Sequence, residues 1–318
     1  MGYDAVKAGL RDVSAGLLTP FQENSDIDHE ALAGNAVELY DRGIRTFLAN
    51  ANISEYHSLS QSERVAVTRT SVDALPDDAT VLAGVGGSTS DAIDMVEAFD
   101  DIGVDAMMVM PPDHTYVHER GLLSYYRDLG DAAAAPLVPY VRGFDPSVEF
   151  LADLTYLDDV VGVKYALEDL PKFTEAVGEG DESVVWVDGM AEPYALPLWV
   201  AGAEGFTAGV SNFRPRIGLA LYRALEREDW ERAREIQRAC QPLMDMRQES
   251  GTDNTLPAAI SVPVVKAAMR LAGFDAGGVR DPIVGLTEAE QERVERLYED
   301  LVAFETEAPQ RTEASQQS

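Results

Sequence analysis

The sequence predicts an α/β fold, a (β/α)8 TIM barrel with a C-terminal helical appendage. Three observations point there. Eight short apolar runs alternate with amphipathic helical stretches. The repeat is roughly 25–35 residues, the length of one βα unit. The chain has 318 residues, enough for one such barrel and a small appendage. An open doubly wound sheet uses the same alternation and stands second.

The strands are read at Gly16–Thr19, Thr46–Ala49, Val81–Val85, Ala106–Met110, Leu137–Val141, Val160–Tyr165, Val184–Val187 and Gly205–Gly209. Helices are read between them, among them Asp28–Arg42, Gln61–Leu75, Thr89–Ile102 and Glu119–Ala134. Ser60 and Glu63 have capping-box spacing, and Ser88 can cap the helix behind it. After the eighth strand the chain turns purely helical: Pro215–Glu228, Trp230–Met246, Val262–Leu271 and Thr287–Phe304. Pro215 and Pro263 suit the first turns of their helices, where a missing N–H costs nothing. The divisions follow: a barrel over 1–228, a helical region over 229–306, and a polar, Gln/Ser-rich disordered tail over 307–318.

Composition narrows the function. Hydrophobic residues make up 46%, so a sizeable core is available. No apolar run approaches the roughly 20 residues of a membrane helix, and a soluble cytoplasmic protein is expected. The net charge of −31 repels nucleic acid and anionic membrane surfaces. Arginine outnumbers lysine 21 to 4, with carboxylates spread along the chain. Such a surface suits a salt-rich, halophilic cytoplasm, where screening weakens self-repulsion. Cys240 is the only cysteine, so there is no intrachain disulfide, and a small buried side chain is expected there.

Because lysine is scarce, its placement is informative. Lys7 lies near the terminus, Lys172 on a helix and Lys266 in Val264-Val265-Lys266. Lys164 ends the wholly apolar run Val160-Val161-Gly162-Val163. A lysine at the C-terminal end of a barrel strand points into the mouth, where barrel active sites lie. Burial there lowers its pKa and supplies the free amine that attacks a carbonyl. A lysine that snorkels out to a carboxylate fits the same position. Tyr140 ends the strand before it and can carry protons beside the amine. Arg142 can hold a carboxylate. The loop Asn52-Ile53-Ser54-Glu55 leads into a capped helix, and its backbone N–H groups can seat an anion. Gly84-Val85-Gly86-Gly87 lacks full dinucleotide-loop spacing, and His114 and His118 have no evident third metal ligand. Neither a dinucleotide nor a zinc site is expected.

These segments, in this order, resemble the dihydrodipicolinate synthase/N-acetylneuraminate lyase family of class I, Schiff-base aldolases. The likeness covers about residues 8–304. It rests on Leu17-Leu18-Thr19-Pro20-Phe21, Ser54-Glu55-Tyr56-His57-Ser58-Leu59-Ser60, Ala83 to Thr89, Tyr140, and Val161-Gly162-Val163-Lys164. The resemblance implies Lys164 as the Schiff-base lysine and Tyr140 as the proton shuttle, with Gly189 and Asn212 lining the site. It also implies a homotetramer that needs no metal or organic cofactor.

Residues 262–282 look nearest to the 5-dehydro-4-deoxyglucarate dehydratases, with the 2-keto-3-deoxygluconate aldolases close by. Two segments depart from the family. Ala51-Asn52-Ile53-Ser54-Glu55 stands where Gly-Thr-Thr-Gly-Glu is usual, so Asn52 replaces a relay hydroxyl and Ile53 a carboxylate-binding one. Residues 111–116 lack the synthases' double tyrosine.

The reading is a lyase, aldolase or dehydratase, acting on a 2-keto-3-deoxy sugar acid. Catalysis falls to Lys164 and Tyr140. Substrate binding falls to Asn52, Ile53, Ser54, Glu55, Arg142, Gly189 and Asn212. A dihydrodipicolinate synthase and a non-catalytic barrel that binds a keto acid are the alternatives.

Overall fold

The computed structural model describes residues 3–315, and side-chain surroundings from residue 3 to 306. Its strands are β1 (Val13–Gly16), β2 (Thr46–Ala49), β3 (Thr80–Val85), β4 (Ala106–Val109), β5 (Leu137–Val141), β6 (Gly162–Tyr165), β7 (Val185–Asp188) and β8 (Gly205–Ala208). All eight pair in parallel, and β8 pairs back onto β1 to close the barrel.

The helices are α1 (Asp4–Leu10), α2 (His29–Asp41), α3 (Gln61–Ala74), α4 (Thr89–Ile102), α5 (Glu119–Ala132), α6 (Val148–Thr155), α7 (Leu170–Glu179), α8 (Glu192–Val200), α9 (Pro215–Glu226), α10 (Trp230–Met246), α11 (Ser261–Leu271) and α12 (Glu288–Ser315). Ser60 and Glu63 form the capping box of α3, and Ser88 accepts from the Asp91 N–H at α4.

Two elements differ from the sequence reading by more than two residues. The first strand begins at Val13, three residues before Gly16. The apolar stretch Val13–Leu18 is continuous in burial, so pattern does not mark its edge. Pairing does, through Ser14 with Thr46 and Val13 with Phe206. At the other end α12 runs to Ser315, so the expected disordered tail is helical in backbone as far as that residue. Extending an existing helix needs no new nucleus. Residues 316–318 lie outside the described residues.

Alternation along the strands sorts the side chains. Leu48, Leu82, Met108, Val138 and Val187 pack together inside the barrel. Their chain neighbours Phe47, Ala83, Val109, Leu137 and Trp186 face the helices. Helix α1, not foreseen from sequence, stoppers the N-terminal end. Its Val6 and Leu10 join the interior cluster, and Thr46 Oγ1 donates to the Gly9 carbonyl at 2.7 Å. The opposite end stays open.

The C-terminal helices share a core with the barrel. Val264, Val265, Leu243 and Tyr298 belong to the same cluster as Val13, Phe47 and Phe206. The join is also ionic. Lys266 on α11 is buried, and its Nζ lies 2.6 Å from Glu55 Oε1 and 2.7 Å from the Thr19 carbonyl. It donates to the Gly278 carbonyl as well. Glu55 Oε2 accepts from the Arg280 N–H at 3.1 Å. The Arg280 guanidinium reaches Glu63 at 2.9 Å and the Ser58 carbonyl at 2.9 Å. Burial pulls the Lys266 pKa down, and the Glu55 carboxylate pushes it back.

An ion pair this deep is fragile to the loss of one partner, because the other charge is left without water. Lys266→Met is therefore expected to cost about 3–5 kcal/mol of unfolding free energy, read by urea denaturation in molar salt. The double variant Lys266→Met/Glu55→Gln should recover part of that loss, since no bare carboxylate then remains.

Candidate active site

The open end of the barrel holds a cavity of about 630 Å³. Strand ends and the loops after them line it: Gly16, Asn52, Ile53, Tyr140, Lys164 and Gly189 contribute, and Arg142 and Asn212 stand at its wall. The volume is that of a small-molecule site.

Lys164 comes from β6 and Tyr140 from β5, and the two are paired residues in the sheet register. Both face inward, which alternation requires once Val163 and Tyr165 face the helices. The Lys164 side chain is 6% exposed. Its Nζ lies 4.4 Å from the centroid of the Tyr140 ring and 3.8 Å from Met108 Sδ. Among the described residues no carboxylate pairs with it. Burial, and then the neighbouring Arg142 charge, bring its pKa down to about 7. Asp188 offers little compensation. Its own carboxyl is buried and held well above the ordinary carboxylate range, with Oδ1 accepting the Met190 N–H at 2.6 Å and Oδ2 unpartnered. The amine is thus substantially uncharged near neutral pH, which is the nucleophilic form.

The surrounding residues make room for it. An ideal Cβ on Gly189 would stand 2.9 Å from Ala166 Cβ and 3.1 Å from Lys164 Cγ, so any side chain there crowds the lysine. Asn212 is buried and its Oδ1 has no partner among the described residues. The Tyr140 hydroxyl receives a hydrogen bond from Arg142 Nη1 at 3.4 Å, and none from Asn52.

Two of the residues read as substrate-binding stand elsewhere. Ser54 is buried, its Oγ accepts the Ala51 N–H at 3.0 Å, and its carbonyl accepts the Thr19 hydroxyl at 2.7 Å. Its own N–H is taken by the Ala51 carbonyl. The Glu55 carboxylate is spent on Lys266 and Arg280. Glu55 has a positive φ of 62°, which turns its side chain out of the cavity and into the seam with α11. The N–H groups of Asn52 and Ile53, which open the turn, have no acceptor among the described residues. Those two are the ones placed to meet an anion.

The fold also brings in residues that sequence reasoning passed over. Arg247, Met244 and Ser261 line the cavity from the C-terminal region, and His57 stands at its rim. Nothing in the local pattern around Arg247 marks it, because it follows an ordinary amphipathic helix. The two remaining histidines of interest lie in a second cavity of about 550 Å³ over the loops after β3 and β4. There His114 Nδ1 accepts from the Tyr116 N–H and His118 Nδ1 from the Arg120 N–H, so each serves its own loop.

Comparison with known proteins places this arrangement. The model of the dihydrodipicolinate synthetase family matches residues 9–301. The chain is 29% identical over 302 residues to the 4-hydroxy-tetrahydrodipicolinate synthase of Methanospirillum hungatei, covering 92% of this chain and 99% of that one. It is 26% identical over 301 residues to a probable 5-dehydro-4-deoxyglucarate dehydratase of Acinetobacter baumannii, covering 92% and 95%. The crystal structure of dihydrodipicolinate synthase from Oceanobacillus iheyensis superposes with a TM-score of 0.90 at 29% identity, over 95% of this chain and all of that one. With a closed parallel barrel, an inward lysine and a family match over nearly the whole length, the chain belongs to the dihydrodipicolinate synthetase family, whose members are lyases of the class I aldolase type.

Proposed function

We propose that the protein is a Schiff-base lyase acting on a 2-keto-3-deoxy sugar acid. One observation carries the reading: a buried amine with a pKa of about 7 faces a polar cavity beside a tyrosine. In this reading the neutral Lys164 amine adds to the C2 ketone. The carbinolamine loses water to give an iminium, which withdraws electrons from C3 and acts as the sink. Loss of a C3 proton gives the enamine, which expels the C4 hydroxyl as water. In the other branch, loss of the C4 hydroxyl proton breaks the C3–C4 bond, releasing an aldehyde and leaving pyruvate on the lysine. Either branch needs protons moved at the carbinolamine, a role for the Tyr140 hydroxyl under the Arg142 guanidinium. The iminium supplies the electrophile, so the scheme needs no metal or organic cofactor.

The Asn52 and Ile53 N–H groups seat the C1 carboxylate, and the unpartnered Asn212 Oδ1 accepts from a sugar hydroxyl. Gly189 keeps the lysine's path clear. The family habit of a homotetramer is carried into this reading as well. The synthase alternative is favoured by relatives that carry that name. It is weakened by Asn52-Ile53, which lacks the hydroxyl pair usual in that loop. Turnover of pyruvate with an aspartate-derived semialdehyde, set against turnover of 2-keto-3-deoxygluconate, separates the two.

Borohydride reduction in the presence of pyruvate or 2-keto-3-deoxygluconate is expected to fix an adduct on Lys164, identified by peptide mass spectrometry. Lys164→Ala should lose both adduct and turnover. A folded wild-type protein that gives no adduct would refute the imine reading. The amine titrates near 7, and only its unprotonated form attacks. The trapping rate should therefore rise about tenfold per pH unit below that value and level off above it. A rate still climbing at pH 9 would contradict the depressed pKa. Tyr140→Phe should lower turnover about 100-fold or more while pyruvate can still be trapped.

A further inference from the structure

We infer that Met108 is a positioning residue for Lys164. Its sulfur takes one N–H of the amine and so turns the lone pair toward the cavity. What the aimed lone pair attacks rests on the Schiff-base reading above. The contact itself does not.

Met108 comes from β4, and its side chain packs inside the barrel with Leu48, Leu82 and Val138. In the sheet register it pairs with Gly84 on β3 and Val138 on β5. Tyr140, two residues beyond Val138 and on the same inward face, pairs with Lys164 on β6. The thioether therefore enters from two strands away and one layer below the lysine. It is buried, as the lysine is. Lys164 Nζ donates to Met108 Sδ at 3.8 Å, within reach for a sulfur acceptor. Among the described residues this sulfur is the one hydrogen-bond acceptor that Nζ meets.

A neutral amine has two N–H bonds and one lone pair. Nζ also stands over the face of the Tyr140 ring, 4.4 Å from its centroid. A ring face is a weak acceptor for a second N–H. With one hydrogen on the sulfur and one on the ring, the lone pair takes the remaining side. Met108 belongs to the apolar interior and is not part of the cavity wall, whereas Lys164 is. The hydrogen held by the sulfur thus points away from the cavity, and the lone pair is left facing it.

A soft acceptor suits this task. A carboxylate or carbonyl oxygen in the same place would favour the ammonium form and raise the pKa. A thioether is a weaker acceptor and orients the amine with less gain for its charge. Lys266, with Glu55 and two carbonyl oxygens, has the opposite arrangement in the same chain. The charged groups that act on Lys164 are Arg142, just after β5, and Asp188, at the end of β7. Neither is altered in the test.

Two variants of the full-length protein separate positioning from packing. Leucine is close to methionine in volume and has no acceptor, whereas glutamine brings an amide oxygen to a similar reach. Both are studied in molar potassium chloride, and thermal melting reports their folding. Pulses of acetic anhydride across pH, with peptide mass spectrometry, read the unprotonated fraction of Lys164, whose wild-type midpoint lies at about 7. Met108→Leu is expected to lower the plateau rate of pyruvate trapping, with borohydride in excess, about fivefold or more, because the amine loses its aim. Its acetylation midpoint should not rise. Met108→Gln is expected to raise the midpoint by about one pH unit, since an amide oxygen favours the ammonium.

Trapping by Met108→Leu at the wild-type plateau rate overturns the proposal. So does a Met108→Gln midpoint equal to that of wild type, because side chain 108 would then not meet the amine. If Met108→Leu does not fold, the Met108→Gln midpoint decides alone. Acetylation needs no keto acid. Wild-type protein that is acetylated on Lys164 but gives no imine adduct refutes the Schiff-base reading, and the midpoint still decides the Met108 contact.

Discussion

A strand in a closed barrel has two directions for its side chains, inward or toward the helices, and that constraint organises this molecule. It puts Val163 and Tyr165 outward and so commits Lys164 to the interior. It commits Tyr140 inward as well, because Val141 packs outward with Tyr165 and Phe173. The barrel interior below them is apolar, made by Leu48, Leu82, Met108 and Val138, and α1 keeps water out from beneath. An ammonium placed there loses its hydration and gains no anion in return. The reactivity read for Lys164 is thus a consequence of desolvation by closure.

Lys266 is a useful contrast. It is as deeply buried as Lys164, and burial acts on it in the same direction. What differs is the partner. Glu55 lies 2.6 Å away and two carbonyl oxygens complete its shell, so its charge is compensated and its role is mechanical. The pair bolts α11 to the turn after β2. That turn carries the free N–H groups of Asn52 and Ile53 at the cavity. Of the four lysines in the chain, Lys164 is buried with no pairing carboxylate among the described residues, and Lys266 is buried with one.

The C-terminal helices do more than cover the barrel. Through Arg247, Met244 and Ser261 they furnish one wall of the cavity, and α11 also packs on the turn that carries Asn52 and Ile53. A surface crowded with carboxylates surrounds a mouth whose cations are left open. In a protein of net charge −31, two guanidinium groups at one cavity concentrate positive potential there.

Much of this was legible in the sequence. The α/β repeat, seven of the eight strand positions to within about two residues, the caps at Ser60 and Ser88, and the pairing of Tyr140 with Lys164 follow from periodicity and local chemistry, which depend on near neighbours. The first strand's edge, the helix α1 and the length of α12 did not follow, because pairing and packing set them. The loop after β2 was read one step too broadly. Its residues alternate between cavity and seam according to a left-handed Glu55 and a lysine 211 positions away. Arg247 was invisible for the same reason. The sequence by itself determined the barrel and the place of Lys164 at a strand end facing its interior, since both depend on patterns a few residues long. Which polar groups face the cavity was decided by the tertiary structure alone, because that depends on contacts between segments far apart in the chain.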